Sequence, residues 1–225
     1  MKNTLHHNEQ FHDTGHARDH QHHQEALLKA AFPFIDTHGW SETAFLDAAN
    51  ALGEPALYYH LFPQGLPDTI LAYGTLLDQQ VDEKLSHIPF EAMGTTEKIT
   101  LLVLTRIQLQ RRHKGVARAL MKKIATPRML IMAPQLLTQT INHMWYRAGD
   151  RATDFNYYTK RGLLGVIYAD TLVYSLTDAT DQSVEQFFKK QLRTVFKGTT
   201  AVKTGFKMAE SMAKTALDAL KSRLP

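Results

Sequence analysis

The sequence predicts an all-α fold, and three observations carry that expectation. From Glu25 onward apolar residues recur at helical spacing almost throughout. No segment sustains the period-two alternation of β-branched residues that marks a half-buried strand. Start and stop signals separate the periodic runs, at Gly39, Ser41, Gly53, Pro55, Pro63 and Gly65.

The elements follow in order. Leu27, Leu28, Ala31, Phe34 and Ile35 mark a first helix that ends near His38-Gly39, where glycine supplies a left-handed stop. Ser41, with Glu42 beside it, starts a second helix over Glu42 to Leu52, closed by Gly53. A short third helix has Pro55 in its first turn, where proline is tolerated, and runs through Phe62. Pro63, Gly65 and Pro67 then break the chain. Longer helices are expected at 68–87, 96–113, 115–125, 128–147, 155–177 and 183–197, with a last one near 200–222. This divides the chain into a disordered His-rich tail (1–24), helix-turn-helix-like helices (25–66), a larger helical domain (67–197) and a C-terminal amphipathic helix (198–225). No internal repeat is present.

Composition narrows the chemistry. With 225 residues the chain has room for one well-buried core or a small domain joined to a larger one. The absence of cysteine excludes disulfides, thiolate metal sites and cysteine nucleophiles. The longest apolar stretch, Gly162 to Leu176, contains Asp170 and is too short to cross a bilayer. The N-terminus lacks an apolar signal core and mixes Glu9, Asp13 and Asp19 with Lys2 and Arg18, a poor match to a transit peptide. A bacterial cytoplasmic protein is the simplest expectation. Seven of the twelve histidines fall in residues 1–24, but no carboxylate or cysteine framework accompanies them at ligand spacing, so they are read as solvated, with no metal site.

The net charge of +4 conceals a strong asymmetry. Between Lys29 and Lys84 there is no Lys or Arg, and eight carboxylates run from Asp36 to Glu83. Between Glu97 and Asp150 there are ten basic residues and no acid. Beyond Phe188 nine Lys or Arg face only Glu210 and Asp218.

The three short helices form a helix-turn-helix pattern. The run from Gly53 to Phe62 resembles the recognition-helix region of TetR-type repressors, which implies a TetR-like helical fold with a helical ligand-binding bundle behind it. The charge argues against the DNA-binding function that this resemblance implies. Phosphate neutralisation by Lys and Arg supplies nearly all non-specific DNA affinity, whereas Ala30 to Glu83 carries eight carboxylates and no Lys or Arg. A ligand-responsive transcription regulator is therefore the alternative, and nucleic acid is not an expected partner.

The most specific stretch is Trp145-Tyr146-Arg147-Ala148-Gly149-Asp150-Arg151-Ala152-Thr153-Asp154-Phe155-Asn156-Tyr157-Tyr158-Thr159-Lys160-Arg161. It resembles the central motif of the coenzyme Q (ubiquinone) biosynthesis protein nine family, a resemblance that extends over most of residues 25–197. That resemblance implies a TetR-like, commonly dimeric accessory protein of ubiquinone biosynthesis, without catalytic activity or cofactor. It implies binding of isoprenoid quinone intermediates in an apolar pocket and their presentation to a membrane-associated hydroxylase. The hydroxylase contacts would map onto Asp154, Asn156, Tyr157, Tyr158 and Arg161; at Tyr157 some members have Trp. From the residues alone, Gly149 ends one helix, Asp154 stands at the N-cap of the next, and positions 154, 157, 158 and 161 share one face. Asp150 and Asp154 also read as simple caps, and either tyrosine as packing.

Several helices are apolar around much of their circumference, as buried or cavity-lining helices are. Leu101, Leu104, Met129, Met132, Leu136, Met144, Trp145, Leu164, Ile167 and Tyr168 are the candidate lipid-binding residues; plain core packing is the competing reading. Beyond Gly198, Phe206, Met212 and Leu217 fall on an apolar stripe, and Lys207, Lys214 and Lys221 on a basic one. That composition suits a helix lying on an anionic membrane surface, or one docked on its own domain. The run Arg106, Arg111, Arg112, Lys114, Arg118, Lys122, Lys123 and Arg128 reads as a second membrane-facing surface or a solvated face. No nucleophile motif, phosphate loop or Glu-x-x-His pair is present, and His60, His113 and His143 are isolated, so no catalytic residue is expected. The expected location is the cytoplasm, peripheral at the inner face of a bacterial inner membrane, or the matrix side of a mitochondrial one.

Overall fold

The computed structural model describes the backbone of residues 5–150 and 155–197, and the side chains of residues 19–150 and 158–195. Every regular element among them is helical: α1 (Leu5–His38), α2 (Glu42–Ala51), α3 (Leu57–Leu61), α4 (Leu66–Lys84), a 3-10 turn (Phe90–Ala92), α5 (Thr95–Arg112), α6 (Lys114–Ile124), α7 (Pro127–Leu130), α8 (Ala133–Arg147), α9 (Phe155–Ser175) and α10 (Asp181–Lys197). The all-α expectation holds. The expected helix over 200–222 lies outside the described residues. The chain falls into two compact units, Met1–Leu76 and Leu77–Pro225, with α4 running from one into the other.

In the first unit α1, α2 and α3 enclose a core rich in aromatic side chains. Phe45 stacks on Tyr58, with ring centroids 5.8 Å apart, and Trp40 meets Phe45 and Tyr73 edge-on at 5.5 and 5.4 Å. The Trp40 indole N–H donates to Thr69 Oγ1 at 3.0 Å, so the most polar atom of the cluster is satisfied. α1 ends where glycine was expected to stop it: Gly39 has φ +66, a left-handed value that other residues adopt at a cost. The Ser41 hydroxyl accepts from Ala44 N at 3.3 Å, the predicted cap of α2. α3 is shorter than the periodicity suggests, because Pro55 and Ala56 are used in a turn in which Leu57 N donates to the Glu54 carbonyl.

α1 also starts upstream of Glu25. Residues 19–24, assigned from composition to the tail, are helical. His23 Nδ1 lies 2.7 Å from the Asp19 carbonyl, and Gln24 Nε2 donates to the Leu61 carbonyl at 3.0 Å, satisfying an acceptor at the end of α3. Polar side chains there fasten the helix instead of freeing it.

In the second unit α5 is central, touching α6, α8, α9 and α10. Its stripe of Ile99, Leu102, Val103 and Ile107 is buried with Ile141, Met144 and Trp145 of α8, and with Leu164, Ile167 and Leu172 of α9. α9 lies close on α8 at Gly165, where a β-carbon would come within 3.3 Å of Leu137 Cδ2. The single helix expected over 128–147 is two. Pro134 has no N–H and its ring excludes the carbonyl four residues back, that of Leu130, where α7 ends.

Candidate functional site

The long motif spans the end of α8, the connection to α9 and the first turns of α9. α8 ends at Arg147, and the chain reverses through Gly149 at φ +85. Asp150 N donates to the Trp145 carbonyl at 3.0 Å, closing the turn. The Asp150 carboxylate, itself largely buried, lies 3.3 Å from Arg161 Nη1 and 3.6 Å from Lys160 Nζ. Arg161 Nε also donates to Asn142 Oδ1 at 2.9 Å. These contacts pin the start of α9 to α8. Of the residues expected to meet a partner, Tyr158 is 73% exposed, whereas the Arg161 side chain is only 14% exposed and faces Asp150. Asp154 lies outside the described residues, as do the side chains of Asn156 and Tyr157. Tyr146 is 77% exposed and lies on the same motif.

The apolar candidates separate into two groups. Met129, Met144, Trp145, Leu164, Ile167 and Tyr168 are buried in the second unit. Leu101, Leu104, Met132 and Leu136 are half-buried and leave apolar surface accessible, and Ile131, next to Met132 in sequence, is 82% exposed. The Trp145 indole N–H is buried without a hydrogen-bond partner, and Lys160 Nζ sits 5.6 Å above its ring. The tail residues Phe206, Lys207, Met212, Lys214, Leu217 and Lys221 lie outside the described residues.

Tyr168 belongs to a buried polar network that periodicity did not single out. Arg106, 3% exposed, donates from Nε to the Tyr168 hydroxyl at 3.2 Å and from Nη2 to Thr140 Oγ1 at 3.2 Å, and it ion-pairs with Asp78. The Tyr168 hydroxyl in turn donates to Gln110 Oε1 at 3.1 Å. Burial pushes the Asp78 carboxyl above its ordinary range, against the opposing pull of Arg106 and His143. His143 stands between two carboxylates, Nε2 at 3.0 Å from Asp82 Oδ2 and Nδ1 at 3.4 Å from Asp78 Oδ1. Arg147 Nε is 2.6 Å from Asp82 Oδ1, but its N–H is not aimed at that oxygen, so the contact is one of charges. The guanidinium also covers the Phe90 ring at 5.2 Å. The signal was present in the sequence: Arg106 lies three and four residues from Val103 and Leu102, on the core-facing stripe of α5.

The basic stretch of α5 and α6 has a more specific use than a charged face. Arg111 donates to the carbonyls of Ser175 and Ala179 and pairs with Asp181 at 2.8 Å. Lys114 donates to the Thr177 carbonyl at 2.8 Å, and Arg118 to that of Leu176. Three cations thus cap the C-terminal end of α9, where carbonyls lack partners and the helix dipole is negative. Arg112, Lys122 and Arg128 remain exposed.

Among the described residues no group of His, Cys, Asp and Glu could hold a metal ion, and no helix is long and apolar enough to cross a membrane.

Comparison with known proteins bears on this site directly. The family model described as COQ9 matches residues 130–198, which include α8, α9, α10 and the whole motif. A ubiquinone biosynthesis protein COQ9 of Bos taurus, named as mitochondrial, is 29% identical over 168 residues, 70% of this chain and 51% of its own length. Over these residues the chain is similar to proteins of the COQ9 family. The Homo sapiens member is 27% identical over 164 residues, 70% of this chain and 52% of its own. A probable ubiquinone biosynthesis protein of Dictyostelium discoideum, also named as mitochondrial, is 22% identical over 161 residues, 68% and 52% of the two chains. The chain spans about half the length of the curated COQ9 relatives it matches.

Proposed function

We propose that this chain is a non-catalytic accessory protein of ubiquinone biosynthesis. It holds an isoprenoid quinone intermediate among the apolar helices of its second unit and presents it to a membrane-associated hydroxylase. Similarity to the COQ9 family carries this reading, because the match falls on α8 to α10, where the motif and most of the apolar candidates lie.

The chemistry of the residues supports the division of labour. Half-buried Leu101, Leu104, Met132 and Leu136 offer hydrocarbon surface of the kind an isoprenoid chain displaces water from. Tyr158, exposed at the start of α9 and held in place through Arg161 and Asp150, is placed to anchor a partner protein. The fold would be TetR-like and dimeric, with the basic amphipathic segment beyond residue 198 resting on an anionic membrane on the matrix or cytoplasmic side. The acidic first unit, without Lys or Arg between Lys29 and Lys84, argues against a DNA-binding use of the same scaffold.

Deleting the gene and quantifying quinones in lipid extracts tests the reading. Ubiquinone should fall and an intermediate lacking a ring hydroxyl should accumulate, both restored by the intact chain. Unchanged ubiquinone with no accumulated intermediate would rule this function out.

A further inference from the structure

We infer that the outward face of α10 is a binding site for a phosphate group. α10 is held firmly from behind: Val184, Phe188 and Leu192 are buried, and Phe187 stacks on Tyr174 with ring centroids 4.4 Å apart. Gln191 Nε2 donates to Asp170 Oδ2. The opposite face lines a groove of about 420 Å3 with Gln186, Lys189, Lys190, Arg193 and Thr194. Those positions recur at three- and four-residue spacing, so they form one stripe over successive turns.

The stripe has the donors a phosphate needs and no competing acid among its described lining residues. Lys189 is paired with Glu185 at 2.5 Å, but Lys190 and Arg193 are exposed and have no carboxylate partner among the described residues. Two unneutralised cations one turn apart repel each other until an anion lies between them. A guanidinium fork takes two phosphate oxygens and an ammonium a third. The Gln186 amide supplies a further donor, whereas the Thr194 hydroxyl donates to the Lys190 carbonyl at 3.0 Å. The helix dipole accounts for cations near the end of α10, but not for their gathering with a neutral amide donor around a groove. The groove is large enough for a phosphate ester, which comes from either of two sources, a phospholipid headgroup or a soluble phosphorylated molecule. This inference does not rest on the quinone-holding reading, and either can fail alone.

The test uses the full chain in two variants. In one, Lys190→Glu is combined with Arg193→Glu; in the other, Arg112→Glu with Lys122→Glu makes the same change in net charge outside the groove. Binding is measured to phosphatidylcholine vesicles containing phosphatidylglycerol, and separately to glycerol 3-phosphate, with circular-dichroism melts confirming that both variants fold. The groove variant should lose at least about tenfold in affinity for one probe while the control loses far less. Loss with vesicles alone assigns the site to a lipid headgroup, and loss with glycerol 3-phosphate assigns it to a soluble ester. Arg193→Gln should shift binding in the same direction with less disturbance. Equal losses in the two double variants, undiminished binding by the groove variant, or no binding of either probe by the unaltered chain would overturn the inference.

Discussion

Arg118 of α6 donates both Nε and Nη2 to a single acceptor, the carbonyl of Leu176 just past the end of α9, at 3.0 and 2.6 Å. The residues are 58 positions apart in sequence, so this capping contact joins two helices through the polar end of one of them. Arg118→Ala should destabilise the fold by about 1.5–3 kcal/mol, the usual worth of a hydrogen bond from a charged donor. Arg112→Ala, at an exposed position of the same basic run, should change stability by no more than about 0.5 kcal/mol. Urea unfolding of the two variants makes the comparison, and equal effects would remove the capping role.

Asp78 and Arg106 should behave as a buried pair. Asp78→Ala leaves the guanidinium without its carboxylate and should cost about 3–5 kcal/mol. Burial raises the Asp78 titration above its ordinary value of 3.8, so the folded chain takes up this proton more readily than the unfolded chain. The site therefore adds stability as pH falls through the native titration, and the gain is complete below the unfolded value. The stability of the unaltered chain relative to Asp78→Asn should widen between pH 7 and pH 4. A gap that narrows would show that the attraction of Arg106 outweighs burial.

The fold was legible in the sequence to the extent that local chemistry decides it. Ser41 and Gly39 act on their own neighbours, and both do as their residue types require. Arg106 shows the limit. Its place on the stripe of Leu102 and Val103 marks it as inward-facing, but Asp78, Thr140 and Tyr168 come from three other helices, which spacing along one helix does not select. The basic run was legible as charge, yet its use depends on carbonyls some sixty residues away. Periodicity also hides a helix boundary: Pro134 divides α7 from α8 in a stretch whose apolar period is unbroken.

Trp145 carries a buried N–H without an acceptor. Trp145→Phe removes that donor and keeps most of the ring, so the gain and the small loss of packing should nearly cancel, within about 1 kcal/mol. Trp145→Ala should cost about 3–5 kcal/mol through the cavity it leaves. Denaturant midpoints of the two variants distinguish them; a Phe variant as unstable as the Ala variant would mean that the N–H has a partner.

Tyr158 lies on the surface of the motif, so Tyr158→Ala should leave stability within about 0.5 kcal/mol. Under the proposed function the same change should weaken association with the hydroxylase by about 2 kcal/mol or more, as loss of an aromatic anchor does. Calorimetric titration of the purified proteins reads this, and a wild-type affinity would remove Tyr158 from the interface.

The most direct measurement is mass spectrometry of organic extracts from the purified chain, beside extracts of Leu104→Asp and Leu136→Asp variants shown to be folded. The native chain should release isoprenoid quinones or their ring precursors in near-stoichiometric amount, and the variants much less. Native protein free of any isoprenoid, or carrying the same trace as the variants, would contradict a lipid-holding role.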